Sequence, residues 1–510
     1  MKSIKSLKLN TIANFAGLSY STIISIAVLP FYIQYLGAEA FGLVGFFTTL
    51  QAWMQVFDMG MSPIFSRQAA QVRGQNINFL SLKKLLRSLE LIFLTVALIV
   101  ALSICGGSTW IANHWLNIKS LALPEVAICI SLMGAMIGLR FFSTLYRSGI
   151  LGMEKQIELN IASAILVTLK FIGALLLLIF VTQNVLYFFI YQFFIGIIEL
   201  IVLATLCYRF IPSSENAEIR IFWDILKPLL PFVGGIAFSA IIWVLLTQLD
   251  KMILSNVLPL SQYGYFTLVV VIATGVNQVS SPISQAILPR MTYLLSQGKE
   301  QDMLILYKKS TQFMAVIMLP LTGMIALFST ELLFAWTDNN EAAEWGGPIL
   351  FWFSLGNGIL AISAFQYYLQ YAYGQLKMHV IYSSISAIIQ IPIIVYVAFE
   401  YGALGVALVW FALRGVAFLI WTPIVHNKFA PGIHWSWLSR DIAPILISTI
   451  TSLLFINKIS INFSEMPRME VFGVLISIGI VIISINILSS SACRQILISA
   501  IQKSKKLNVE

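Results

Sequence analysis

Apolar residues in this chain come in unbroken runs rather than in alternation, and the runs recur from end to end. Each run is about 18–27 residues, long enough for an α-helix to cross a hydrocarbon layer of about 30 Å. A transmembrane barrel would instead alternate over segments of about ten residues. The pattern predicts fourteen spans, at roughly 11–35, 41–65, 90–115, 123–146, 157–181, 184–208, 229–255, 262–288, 312–336, 347–373, 379–400, 404–426, 441–458 and 469–490. The expected fold is all-α, a polytopic membrane protein. The first run is too long for the apolar part of a signal peptide and lacks a small-residue cleavage site, so it reads as a retained span. Two stretches, "NINFLSLKKLLRSLE" (Asn76–Glu90) and "EIRIFWDILK" (Glu218–Lys227), alternate apolar and charged faces at helical spacing. They read as helices lying in the membrane interface.

Composition agrees with the pattern. Hydrophobic residues make up 59% of the 510 and charged residues 10%, against about 25% charged in soluble proteins. Mean hydropathy is +0.88. The net charge of +9 is a topology signal. With the N-terminus placed in the cytoplasm, 24 of the 31 lysines and arginines fall on the inner side and three on the outer, the other four lying within spans. This asymmetry predicts cytoplasmic N- and C-termini and accounts for the charge without nucleic-acid binding.

The chain also resembles itself. "NFAG" (Asn14–Gly17) precedes "LGAEAFGLVGFFTTL" (Leu36–Leu50), then Pro63 and Arg67; "PFVGG" (Pro231–Gly235) precedes "LPLSQYGYFTLVVVI" (Leu258–Ile272), then Pro282 and Arg290. An aromatic-glycine pair, Phe41-Gly42 or Tyr263-Gly264, opens the second helix of each segment. Both segments start inside, so the implied repeat is parallel, an arrangement in which two bundles rock about a central site. The expected organisation is an N-terminal six-helix bundle (1–208), a cytoplasmic amphipathic linker (209–228), a C-terminal six-helix bundle (229–428), an extra helix pair (429–490) and a basic cytoplasmic tail (491–510).

Charged residues inside spans are the candidate chemistry. A charge near mid-bilayer costs about 2.5–3.5 kcal/mol on insertion scales and usually faces a cavity or a partner. Lys170 and Arg414 lie near mid-span, one in each half, where a side chain does not easily reach the interface. With Arg140 they are the candidate cations of a pocket for an anionic substrate. Arg140 and Lys251 are also near enough to span ends to snorkel. Asp58, Glu199 and Asp250 are candidates for coupling or charge balance. Lys251, Arg67 and Arg290 complete the gate or coupling set, with Pro63-Arg67 and Pro282-Arg290 as inner-end elements common to both halves. Pro30, Pro320, Pro392 and Pro423 fall within spans, where freed carbonyls need other partners. Gly134 and Gly138 form a small-residue face for close helix packing.

Enzymatic signals are lacking, so no catalytic residue, cofactor or metal is expected. No G-x-x-x-x-G-K-[ST] loop is present, and "GNGILA" (Gly356–Ala361) lies in an apolar helix with no strand before it. The four histidines (His114, His379, His426, His434) are dispersed near span ends, and the four cysteines have no metal spacing.

The basic N-terminus, "NFAG", "LPFYIQYLG" and the "FG" of span two, with "FDMGMSPIFSRQ" closing that span and "TQLDKMILSNVLPLSQYGYF" in the second half, resemble the polysaccharide-transporter, O-antigen-type flippase branch of the multidrug/oligosaccharidyl-lipid/polysaccharide exporter superfamily. The resemblance covers roughly spans 1–12. It implies two six-helix bundles with alternating access around a V-shaped cavity. It implies transfer of an undecaprenyl-diphosphate-linked oligosaccharide from the inner to the outer leaflet of the bacterial cytoplasmic membrane. Its partners would be that glycan and membrane lipids, with a polysaccharide polymerase and a chain-length regulator as protein partners. Span one carries no arginine, unlike the lipid II flippase relatives. In fourteen-helix relatives the extra pair lines a groove for the lipid tail. The alternatives are a drug or cation antiporter of the same superfamily, which the cationic spans disfavour, and a membrane polysaccharide polymerase or ligase, which generally needs a large outer loop. A scaffold for glycan assembly that transports nothing is a third.

Overall fold

The computed structural model describes residues 2–73, 78–211, 220–459, 461–463 and 466–495. The predicted linker (at 212–219), the basic tail (at 496–510) and the start of the first amphipathic stretch (at 76–77) fall partly outside the described residues. The protein is α-helical and spans the membrane many times; among the described residues an isolated bridge joins Asn117 and Pro259. Its helices are α1 (Lys2–Leu36), α2 (Ala38–Trp53), α3 (Gln55–Asp58), α4 (Met61–Arg73), α5 (Phe79–Trp110), α6 (Leu123–Gly152), α7 (Gln156–Thr168), α8 (Ala174–Phe180), α9 (Val185–Phe210), α10 (Trp223–Leu226), α11 (Leu230–Val257) and α12 (Leu260–Ser296). There follow α13 (Glu300–Leu327), α14 (Ser329–Thr337), α15 (Asn340–Ala372), α16 (Lys377–Phe429), α17 (Ile433–Trp437), α18 (Ala443–Lys458) and α19 (Arg468–Ser489). The chain divides into two compact units, Met1–Gly264 and Tyr265–Glu510.

Thirteen helices among the described residues are long and apolar enough to cross a membrane. One of them, α16, has 53 residues, which at 1.5 Å per residue is about 80 Å, far more than one crossing needs. It is two spans. Gly402 breaks it with φ 59° and ψ −150°, a conformation open almost only to glycine. Counted as two arms, 377–401 and 403–429, it brings the candidate crossings among the described residues to fourteen.

Two local expectations change, and one is met. The stretch at 79–90 is no separate interfacial helix. It is the beginning of α5, whose 32 residues run about 48 Å, so its first turns extend past the hydrocarbon. Pro30, Pro320, Pro392 and Pro423 lie inside α1, α13 and the two arms of α16, as their places within apolar runs imply. Span two does not run on to Pro63. Met59 and Gly60 adopt left-handed conformations (φ 46° and 75°), ending α3 at Asp58. Pro63 then falls in the first turn of α4, where a missing N–H costs little.

In the first unit, close packing follows the small residues. A Cβ on Gly134 would lie 2.9 Å from the Ile104 Cβ, and one on Gly138 3.0 Å from the Ala97 carbonyl oxygen, so only glycine lets α6 approach α5 this closely. The two aromatic-glycine pairs meet at one crossing. A Cβ on Gly42 would overlap the Leu260 carbonyl, and one on Gly264 the Ala38 carbonyl. Tyr263 and Thr49 share a hydrogen bond of 2.7 Å beside this crossing. The second unit has a core in which Tyr307, Met314, Phe365 and Trp437 are almost wholly buried.

Candidate functional site

Span two ends inside a cavity of about 530 Å³ in the first unit. Its wall is built from α2–α4, α6, α9 and α11, together with a short π-helical segment, Leu169–Gly173, between α7 and α8. Five charged side chains line it: Asp58, Arg140, Arg147, Lys170 and Glu199. Asp58, Arg140, Lys170 and Glu199 stood out in the sequence by their depth in apolar runs. Arg147 did not, because at the end of a predicted span it reads as a marker of the inner side. Its presence three to four residues along the same helix from Ser143 and Thr144, which also line the cavity, is the signal that helical periodicity offered.

The cations are held by neutral partners. Arg140 donates from Nη1 to Gln51 Oε1 at 2.5 Å, and its guanidinium lies 4.9 Å from the centre of the Phe47 ring. Its Nε has no hydrogen-bond partner among the described residues. Arg147 donates from Nη2 to Ser163 Oγ at 2.9 Å. Lys170 is the contribution of its own helix to the cavity wall, and its ammonium lies 5.3 Å from the centre of the adjacent Phe171 ring. Arg140, Arg147 and Glu199 are close enough to act on the Lys170 charge. Yet among the described residues none of these three cations has a carboxylate within 4.0 Å.

Asp58 is occupied locally. Its carboxylate accepts from the Ser62 backbone N–H at 3.3 Å and from the Ser62 hydroxyl. The N-terminal N–H groups of a helix lack intrahelical acceptors and favour an anion. Asp58 therefore caps α4 across the Met59-Gly60 turn, which accounts for an acid at the end of an apolar run. Glu199, half-buried on α9, shares the cavity without pairing with its cations.

The other candidates lie elsewhere. Asp250, only 2% exposed, pairs with its neighbour Lys251 at 3.2 Å. Lys251 also donates to the Thr247 carbonyl at 2.5 Å, so its ammonium folds back on α11 instead of reaching toward the interface. Arg67 is exposed on α4. Arg290 is exposed on α12 with its guanidinium 5.2 Å from the Tyr293 ring centre. Arg414, in the second unit, is 8% exposed and stacks 4.2 Å above the Trp410 ring one turn earlier. Among the described residues no group of three or more histidine, cysteine or acidic side chains is placed to hold a metal ion. Two of the histidines are not dispersed, however. His426 Nδ1 and His434 Nδ1 lie 3.0 Å apart, and Tyr307 bonds His426 Nε2 at 2.7 Å.

Comparison with known proteins agrees with this architecture. Residues 7–295 match the model of a family described as "Polysaccharide biosynthesis protein". A Shigella flexneri protein, "Putative O-antigen transporter", is 22% identical over 405 residues, 79% of this chain and 93% of that one. The lipid II flippase MurJ, in an inward closed conformation, superposes with a TM-score of 0.70 at 15% identity, covering 94% of this chain and 97% of its own. A multidrug resistance MATE-family transporter of the MOP superfamily, in an inward-facing conformation, superposes with a TM-score of 0.60 at 12% identity, covering 80% and 96%. At such identities these structures establish a shared fold.

Proposed function

The chain belongs to the polysaccharide biosynthesis protein family, and from that membership we propose that it is a flippase for lipid-linked oligosaccharides. The substrate is an undecaprenyl-diphosphate-linked repeat unit of a surface polysaccharide. It moves from the inner to the outer leaflet of the bacterial cytoplasmic membrane by alternating access, and both chain termini lie in the cytoplasm. The name of the Shigella flexneri relative and the fold common to the lipid II flippase support this reading.

One observation carries it: three cations share a cavity in the membrane-spanning part without ion-pairing to the two acids beside them. Three cations against two carboxylates leave positive charge in excess, and Asp58 is hydrogen-bonded to Ser62 at the start of α4 rather than to any of the three. Charge kept in an apolar layer at a cost, and left uncompensated by the protein, suits an anionic ligand. A diphosphate supplies such an anion. The volume, about 530 Å³, falls in the range of about 300–1,000 Å³ typical of small-ligand sites. That is room for the diphosphate and the sugar next to it. The hydrogen-bonding groups of Gln51, Gln55, Ser143 and Thr144 on the same wall suit sugar hydroxyls.

The test is depletion of the protein with leaflet-resolved detection of the lipid-linked repeat unit. Inner-leaflet accumulation that is relieved by the unaltered protein, and not by Lys170→Ala or Arg140→Ala, supports the assignment. Normal outer-leaflet delivery after depletion removes it.

A further inference from the structure

Lys170 sits on a π-helical segment, Leu169–Gly173, set between the α-helical runs α7 and α8. A π-turn accommodates an additional residue and rotates the rest of the helix by about 100° relative to an uninterrupted α-helix. It also leaves carbonyl oxygens poorly served by the helix itself, which is costly inside a bilayer. Three consecutive carbonyls here are taken up by side chains of other spans. Tyr191 donates to the Leu169 carbonyl at 2.7 Å, Gln192 Nε2 to that of Lys170 at 2.9 Å, and Tyr32 to that of Phe171 at 2.8 Å.

The surroundings are shaped to this arrangement. A Cβ on Gly173 would overlap the Tyr191 hydroxyl, so glycine at this position keeps the approach open. Tyr32 is 1% exposed and packs edge-on against Phe188, with ring centres 5.1 Å apart. Gln192 is 5% exposed; its amide nitrogen is committed to the Lys170 carbonyl, and its Oε1 has no hydrogen-bond partner among the described residues. Burying an amide at that expense is unfavourable. The return is a backbone held out of α-helical register at the one residue its helix contributes to the cavity.

We propose that Tyr32, Tyr191 and Gln192 are positioning residues: by capping the carbonyls of a π-turn they hold Lys170 in the wall of the cavity. In a regular α-helix these carbonyls would be bonded within the helix, and the three donors would have no acceptor there. The side chain at 170 would then face a different azimuth. The proposal rests on the cavity reading above for its functional meaning, but its geometry is testable without transport.

The experiment uses the full-length protein in membranes with Cys105, Cys129, Cys207 and Cys493 replaced by alanine. Lys170→Cys and, separately, Thr144→Cys are exposed to a small anionic methanethiosulfonate, and the rate of reaction is measured. Both react in the parent. Adding Tyr191→Phe and Gln192→Met slows Lys170→Cys by about tenfold, on the scale of one or two lost hydrogen bonds, while Thr144→Cys keeps its rate. Tyr32→Phe alone, which leaves its ring packed, gives a smaller fall in the same direction. Equal rates at Lys170→Cys in the parent, in the Tyr191→Phe/Gln192→Met background and in the Tyr32→Phe background would overturn the positioning role and leave the cavity intact. An unreactive Lys170→Cys beside a reactive Thr144→Cys in the parent would overturn both. Full transport by Lys170→Ala would remove the flippase role of this lysine and leave the positioning geometry untouched.

Discussion

Replacing Lys170 with alanine should weaken anion binding without lowering stability. The ammonium has no carboxylate within 4.0 Å among the described residues and lies near Arg140 and Arg147. An unpaired cation near mid-bilayer costs about 2.5–3.5 kcal/mol on insertion scales, less where water reaches it. Its removal should therefore leave thermal stability unchanged or raise it by a few degrees. Binding of an anion should suffer. One unit charge at about 4 Å contributes about 1 kcal/mol in a water-like medium and about 4 kcal/mol at an effective dielectric constant near 20. That range is roughly fivefold to nearly a thousandfold in affinity. Lys170→Arg should retain most of it. The assay is a titration of the purified protein with a water-soluble isoprenoid diphosphate, followed by tryptophan fluorescence, beside a melting curve for each variant. Unchanged affinity in Lys170→Ala together with a lower melting temperature would refute the reasoning, because the lysine would then be serving the fold.

Three further outcomes rest on individual contacts. Asp250→Asn removes the carboxylate that Lys251 meets at 3.2 Å in a buried setting; breaking such a pair costs about 3–5 kcal/mol, so the melting temperature should fall, and Asp250→Asn with Lys251→Met should recover most of it. Gly42→Leu drives a side chain into the Leu260 carbonyl and should cost at least about 1–3 kcal/mol, read as reduced yield of folded protein in mild detergent, with Gly106→Ala, where a Cβ meets nothing within 4 Å, as the harmless control. Gly402→Val forces a β-branched residue into φ 59° and ψ −150° at a cost of about 1–3 kcal/mol, and should lower thermal stability measurably more than Gly415→Ala, another open position.

Legibility in the sequence followed the range of the forces involved. The crossings were readable because membrane insertion acts on each apolar run separately; even the break between the arms of α16 is a local matter of Gly402. Asp58, Arg140, Lys170 and Glu199 were visible because charge is rare and costly in such runs. What they do with one another was not visible. The capping of α4 by Asp58 depends on a left-handed Met59, an uncommon state for a residue with a side chain. The π-turn under Lys170 depends on Tyr32, more than a hundred positions away, and on donors in the next span. Arg147 looked like a charge at the membrane edge, since hydropathy marks where a span ends but not that its last turns border a cavity. Asp250 and Lys251 showed the reverse: adjacent in the chain, they satisfy each other. His426 and His434, eight residues apart across a helix break, came together only through the turn at Gly432.

The most direct test of the central claim is a leaflet assay in proteoliposomes containing the purified protein and an isoprenoid-diphosphate-linked oligosaccharide. A membrane-impermeant glycan-modifying enzyme reports which leaflet holds the sugar. The account predicts that substrate becomes accessible across the bilayer with the unaltered protein, and at a rate near that of protein-free vesicles with Lys170→Ala and Arg140→Ala combined. Equal rates for the variant and the unaltered protein, or movement of organic cations with none of the lipid diphosphate, would contradict it.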